Sequence, residues 1–509
     1  MARWTRWLAP TLGDIQLVSM LVWVFAVGSA GWARLLMDGD AGWHIRTGQW
    51  ILQHAAVPRV DLYSFTKPGE PWFAWEWLSE IIFGGLFTLW GFKAVVLFAG
   101  ILVACFGAVM FQHAVWRGAN VFIALPICLL AVGASTVHLL ARPHLWTWIL
   151  FAVSWLMIDR DRRNPSRVIW WLVPLAVVWT NLHGGFMVLI ATLGLVAAGT
   201  AVEAWRGIAL WSTVKRYALL AAATAAASFV NPYGWQLHRH VVEYLNSAWI
   251  REVVSEFQSP SFRSEPVLCY EIFLFAGLVL GGWLLSRGRV VEPLVIAFWA
   301  HQSLISARHI PLLCVAALPV VAGELAGLWE PWTRRCKKSS LPAILASLGR
   351  DLQPSLGRYS LCAVAPLVVL AFMNEPLHWP TNFPEEIFPV EIVDKHAGVI
   401  RGSRTYTQDQ WADYLIFHFY PDQRVFFDGR SDFYGPVLGD EYLRIMKGAH
   451  DWDQLLDKYR INVVLTPVKF SLASLLKLKP GWRLVADDGK ALLFQRIVPM
   501  GAPKTRPPA

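Results

Sequence analysis

Runs of apolar residues long enough to cross a bilayer recur along this chain as far as residue 373, and that feature restricts the fold more than any motif does. A hydrocarbon core about 30 Å thick takes a helix of about 20 apolar residues. Backbone N–H and C=O groups find no water there, so each run must satisfy its own hydrogen bonds as a helix. The expected spans are 15–36, 92–114, 120–139, 144–158, 168–182, 185–203, 216–230, 267–285, 290–306, 310–328 and 359–373, about eleven in all. The chain is 55% hydrophobic over 509 residues, which fits a polytopic α-helical membrane protein and not a soluble domain. Trp is favoured at membrane–water boundaries, and Trp4, Trp7, Trp32, Trp43, Trp116, Trp146, Trp249 and Trp329 fall at run ends.

The formal charge of +9 calls for no nucleic acid, because the basic residues cluster in short loops between apolar runs. These are Arg160, Arg162, Arg163 and Arg167; then Arg206, Lys215 and Arg216; then Arg287 and Arg289; then Arg334, Arg335, Lys337 and Lys338. All four loops fall on the cytoplasmic side if the N-terminus is inside, which puts residues 374–509 outside. The first run follows Arg3 and Arg6 and is too long for a signal peptide, so an uncleaved anchor is expected.

Residues 75–90 decide that orientation. Glu76 and Glu80 share one helical face at i,i+4, and the run is short, so it is expected as an interfacial helix and not a span. The transmembrane region is thus 1–373, with outer loops at 38–91 and 231–266 and a mobile basic cytoplasmic loop at 329–358. After a Pro-rich linker at 374–389, residues 390–498 read as a small α/β domain. It has helices at 411–420, 440–447 and 451–459, and strands at 424–427 and 462–466. A hairpin pairs 482–486 with 491–495 around Asp487-Asp488-Gly489. Residues 499–509 are expected to be disordered. The six cysteines avoid the C-terminal third and show no metal-ligand spacing.

Four groups of residues have the chemistry for a site. Asp38-Gly39-Asp40, with Trp43, His44 and Arg46, follows the first span. One carboxylate can act as a general base on a hydroxyl, or the two can hold Mg²⁺ or Mn²⁺ through hard oxygen ligands; the alternative is a cap on the following helix. Trp72–Glu80 forms either an aromatic shelf with Glu76 as a further carboxylate, or an anchor at the interface. Arg142, His144, His183, Arg308 and His309 all fall at the outer edge of the spans, where together they suit a lipid phosphate; snorkelling and capping are the alternative. Asp428-Gly429-Arg430-Ser431-Asp432-Phe433-Tyr434 is either a binding loop or a self-satisfied ion-pair turn. No phosphate-binding P-loop, serine-hydrolase elbow, zinc-protease motif or dinucleotide fingerprint is present.

The layout resembles the GT-C superfamily of membrane glycosyltransferases: a first span, an acidic first outer loop, about a dozen spans and an extracytoplasmic C-terminal domain. More narrowly, Asp38–Trp50, Pro58–Phe65, Trp75–Glu80, Asn231–Gly234 and Phe427–Arg430 resemble a broad group of bacterial inner-membrane proteins labelled glycosyltransferase-like. The resemblance implies a sugar transferase with a polyprenyl-phosphate donor, acting on a glycan, lipid or protein acceptor in cell-envelope polysaccharide synthesis. By position Asp40 or Asp38 matches the acid of the superfamily's first loop, although Asp-Gly-Asp replaces its usual pattern. Asp40 is expected as the base, with Asp38 as its partner or a metal ligand. A polymerase or ligase of diphosphate-linked glycans, or a non-catalytic assembly subunit, is the alternative.

Overall fold

The computed structural model describes residues 8–26, 31–263, 265–373 and 378–497. Trp4, Trp7, Arg3, Arg6 and the expected tail lie outside the described residues, as does 374–377 of the linker. Two compact units emerge: 1–35, 95–241 and 251–379 form the first, and 36–94, 242–250 and 380–509 the second.

The first unit is a helical bundle, and the chain has the character of a membrane protein. Five helices among the described residues are long and apolar enough to cross a bilayer: Phe92–Trp116, Val121–His138, Gly184–Trp205, Pro266–Ser286 and Ala307–Arg335. Leu341–Leu356 and Leu361–Phe372 make a sixth if the pair, bent by 87°, acts as one. That count falls short of the eleven expected for a physical reason. Leu12–Ala26 and Val291–Ile305 have 15 residues each and Trp211–Ala227 has 17, below the length a perpendicular crossing takes. His144–Arg163 ends in a charged turn, Asp159–Arg163. The expected mobile loop at 329–358 is instead helical over most of its length, as the end of Ile310–Arg335 and as Leu341–Leu356.

Charged ends are paired inside the bundle. Arg117 donates to both Asp159 oxygens at 2.5 and 2.8 Å, and His113 Nε2 lies 2.8 Å from the same carboxylate. Arg162 reaches Glu203 at 3.2 Å and Glu292 at 3.1 Å, while Arg289 reaches Glu292 and Glu324 at 2.5 and 3.0 Å. Asp159, Glu203 and Glu292 are buried, and partners of this kind are what make buried charge tolerable. Arginines that looked like loop charge in the sequence thus hold helices together.

The second unit combines residues 36–94 and 242–250 with the C-terminal region. Its sheet has the order β1-β2-β4-β3, from β1 (Thr405–Tyr406), β2 (Val463–Pro467), β3 (Trp482–Asp487) and β4 (Ala491–Arg496). β1 runs parallel to β2; the other pairs are antiparallel, and β3–β4 is the expected hairpin. The expected strand at 424–427 is reduced to single bridges at Val425, parallel to Thr405 and to Ser64. Val425 N donates to Tyr63 O at 2.9 Å and Phe65 N to Val425 O at 3.0 Å, so the outer loop supplies the next edge of backbone pairing.

Two helices of that loop, Asp40–His54 and Trp77–Trp90, meet at a glycine contact. A Cβ at Gly48 would strike the Glu80 backbone, and one at Gly84 would strike Gly48 and Gln49. The helix Trp77–Trp90 has 14 residues.

Candidate functional site

The residues expected at a site fall into two groups, one in each unit. Asp38, Asp40, His44, Arg46 and Glu76 belong to the second unit; Arg142, His144, His183, Arg308 and His309 belong to the first.

In the second unit, Asp40 opens its helix after the N-cap Gly39, and Asp38 Oδ1 accepts the Asp40 amide at 2.8 Å. Gly39 N donates to Gln410 Oε1 at 2.6 Å, fastening this turn to the helix Asp409–Phe419. Asp40 is buried at 3% exposure, whereas Asp38 remains half-buried. Asp40 and Asp413 both face Gly429, where a Cβ would strike Asp40 Oδ1 and crowd Asp413 Oδ2. Burial first, then the Asp40 and Asp428 carboxylates, push Asp413 well above the usual carboxylate range. A neutral Asp413 beside Asp40 relieves what would otherwise be like-charge repulsion.

His44 lies between two carboxyl groups, 3.6 Å from Glu76 Oε2 and 3.6 Å from Glu80 Oε1, with Trp43 3.7 Å from its ring. Burial, then Glu76, raises the Glu80 carboxyl well above its usual range. Arg46 is tied elsewhere: its Nε donates to Phe417 O at 2.6 Å and its Nη1 to Gln49 Oε1 at 2.9 Å. These bonds make it a link between helices.

The Asp428–Tyr434 turn is a buried ion cluster. Arg430 donates to Asp428 at 2.7 and 2.9 Å and to Asp61 at 2.8 Å, and Tyr434 donates to Asp428 at 2.6 Å. The guanidinium lies over Tyr63 and Trp72, 4.9 and 4.6 Å from the ring centroids. The turn thus pairs most of its charge within itself, and through Asp61 it joins residues 58–65 to the C-terminal region.

In the first unit, all five expected residues come into one neighbourhood, and Glu256 is its hub. Its carboxylate is 3.2 Å from His138 Nε2, 3.4 Å from Arg308 Nη1 and 3.8 Å from Arg142 Nη1. His144 Nε2 donates to His138 O at 2.9 Å, and the two rings are 4.1 Å apart. His183 Nδ1 accepts the Gly185 amide at 3.0 Å and lies 2.7 Å from Thr147 Oγ1, which accepts from Trp179 Nε1 at 2.9 Å. Burial, followed by Arg308 and Arg142, drives His183 well below its usual range, so it is neutral with its proton on Nε2. His309 Nδ1 donates to Gln302 O at 3.2 Å. Oriented N–H donors and guanidiniums in one place suit a phosphate group.

Sequence reasoning missed Asp413 and Glu256. Asp409 and Asp413 lie at i,i+4 on a helix otherwise rich in apolar residues, a signal that buried acids leave. Glu256 is one of four glutamates in 231–266, and nothing in its spacing sets it apart from the others. Asp38 and Asp40 offer oxygen ligands of the right kind, but among the described residues no group of three or more His, Cys, Asp or Glu is arranged to hold an ion.

Comparison with family models and with curated protein sequences gives no match. Comparison with solved structures does. The oligosaccharyltransferase AglB from Archaeoglobus fulgidus, in complex with an inhibitory peptide and a dolichol-phosphate, aligns at TM-score 0.58 with 8% identity, over 90% of this chain and 69% of that one. An oligosaccharyltransferase of Archaeoglobus fulgidus tethered with an acceptor peptide aligns at TM-score 0.55 with 9% identity and the same coverage. The fold is GT-C-like. ArnT from Cupriavidus metallidurans in the apo state aligns at 0.49 with 14% identity, over 95% of this chain and 96% of that one.

Proposed function

We propose that this chain is a membrane glycosyltransferase that moves a sugar from a polyprenyl-phosphate carrier to a hydroxyl of a glycan, lipid or protein acceptor. The observation that carries the reading is the convergence of Arg142, His144, His183, Arg308 and His309, from loops far apart in sequence, on one neighbourhood of the bundle. Such a set neutralises the charge on a departing lipid phosphate. The GT-C-like fold supports it, and AglB has been solved with a dolichol-phosphate.

Exposure divides the roles of the two aspartates. Asp38 is half-buried and is assigned as the general base that takes the acceptor proton as the new C–O bond forms. Asp40, buried against Asp413, positions the turn that carries Asp38. Arg142 and Arg308 hold the phosphate, and the His183 Nε2–H donates to it. The bundle is assigned to the bacterial inner membrane, with the N-terminus in the cytoplasm and the C-terminal region outside.

The test is sugar release from labelled polyprenyl-phosphate and polyprenyl-diphosphate donors by the purified full-length protein, beside an Arg142→Ala/Arg308→Ala variant. The reading expects release from the monophosphate donor, lost in the variant. Release that survives the double substitution would remove these residues from the donor site.

A further inference from the structure

The helix Leu341–Leu356 follows the basic run Arg334-Arg335-Cys336-Lys337-Lys338 at the end of Ile310–Arg335. We infer that this helix and the basic run together form a docking surface for anionic phospholipid. The helix lies in the plane of the membrane with Leu341, Ile344 and Leu348 toward the acyl chains, while Arg335, Lys337 and Lys338 meet the headgroups. The inference stands apart from the sugar-transfer reading and from the residues assigned to it.

Leu341–Leu356 and Leu361–Phe372 are bent by 87° from one another, so both cannot run along the bilayer normal. Leu361–Phe372 has no charged residue and suits hydrocarbon; Leu341–Leu356 has Arg350 and Asp351 and suits the plane of the interface. The faces of Leu341–Leu356 divide accordingly. Ala346, Gly349 and Leu356 are buried, and a Cβ at Gly349 would meet the Asn120 side chain. Leu341, Ile344 and Leu348 recur at i, i+3 and i+7 and are 67, 50 and 44% exposed, an apolar stripe that no part of the bundle covers. Asp351 borders this stripe about 15 Å along the helix from the basic run, and Arg350 projects from roughly the opposite side. The order of side chains along Ile310–Arg335 agrees: exposed Leu325 and Leu328 come first, then exposed Trp332, then the cations. Leucine, tryptophan and cation in that order are what a span presents as it leaves a bilayer. Glu330 takes up Arg334 at 3.4 Å and Arg350 at 3.1 Å, which ties the two helices together. Arg335, Lys337 and Lys338 are exposed and have no ion pair among the described residues. Three exposed cations beside an exposed apolar stripe complement a surface that is anionic at its headgroups and apolar beneath them. A soluble acidic partner would match the cations but not the stripe.

The test follows hydrogen–deuterium exchange over 341–356 in the full-length protein, in nanodiscs of phosphatidylcholine alone and of phosphatidylcholine with phosphatidylglycerol in equal amounts. In the parent, exchange is expected to be slower in the mixed nanodisc by about fivefold or more, the effect of at least one cation held at an anionic surface. Arg335→Gln/Lys337→Gln/Lys338→Gln is expected to abolish that difference, whereas Lys337→Arg/Lys338→Arg, which keeps the charge, is expected to retain it. Equal exchange in the two nanodiscs by the parent overturns the inference. A difference that survives in the glutamine variant removes these three residues from the surface and overturns it as well. Loss of the difference on adding inorganic phosphate at the concentration of the phosphatidylglycerol would make the surface a site for a free anion and overturn the lipid assignment.

Discussion

Asp38 and Asp40 are two residues apart, yet their surroundings give them different chemistry. Asp38 is half-buried and accepts the Asp40 amide, whereas Asp40 is enclosed with Asp413 and the Gly429 backbone. Asp38→Asn is therefore expected to lower turnover by about 100-fold or more, the range for loss of a general base, while leaving the melting temperature near that of the parent. Glu80 is the clearest probe of pH. Burial and Glu76 raise its carboxyl well above the ordinary 4.5, so the folded chain keeps a proton that the unfolded chain releases. The folded state then binds more protons above pH 4.5, and the stability carried by neutral Glu80 falls as pH rises toward the folded pKa. In thermal melts, Glu80→Gln is expected to match the parent near pH 4.5 and to exceed it increasingly at higher pH. At this scale the sequence was a partial guide. Acids next to a span, and cations at span ends, stand out against an apolar background, so Asp38, Asp40, Arg142 and Arg308 were visible. Arg46 was visible for the same reason and turned out to bind Phe417 and Gln49, because side-chain direction is not in the spacing. Glu256 and Asp413 acquire meaning only from partners that folding brings to them.

Helices were legible wherever apolar residues ran long. Phe92–Trp116 and Gly184–Trp205 lie close to their expected ranges, because in lipid a long apolar run has one stable backbone solution. Short or charged elements were harder. Residues 329–358 have many basic side chains and read as a loop, but fold as helix on either side of a turn. Residues 424–427 have strand composition but form only bridges, since Val425 is flanked by the two-residue strand β1 and by an outer-loop residue. The helix pair Asp40–His54 and Trp77–Trp90 rests on Gly48 and Gly84, where only hydrogen allows the backbones to approach. Gly84→Ala is expected to cost about 1–3 kcal/mol through overpacking, more than the roughly 1 kcal/mol that Ala gains over Gly in helix propensity. A lower melting temperature of the purified protein would report it; a higher one would mean that the helices can separate at no cost.

At the scale of the whole molecule, residues 36–94 and the C-terminal region fold as one unit, joined by the Arg430 ion cluster and by pairing at Val425. Nothing local in the sequence signals that association, because its partners, Asp61 and Arg430, are separated by most of the chain. Arg430→Ala leaves Asp61 and Asp428 buried without their cation and is expected to destabilise this unit by about 3–5 kcal/mol. Deleting 380–497 is expected to open the outer loop to trypsin at Arg59 and Lys67, which limited proteolysis would show against a resistant parent. The central claim, however, is chemical: that this chain transfers sugar from a lipid phosphate with Asp38 as base. Its most direct measurement is transfer of labelled sugar from a polyprenyl-phosphate donor to an acceptor by the purified full-length protein, with Asp38→Asn beside it. The account predicts turnover by the parent and its loss in a folded Asp38→Asn variant. Equal turnover by parent and variant would contradict the assignment of the base, and no transfer from any lipid-linked donor by folded protein would contradict the function itself.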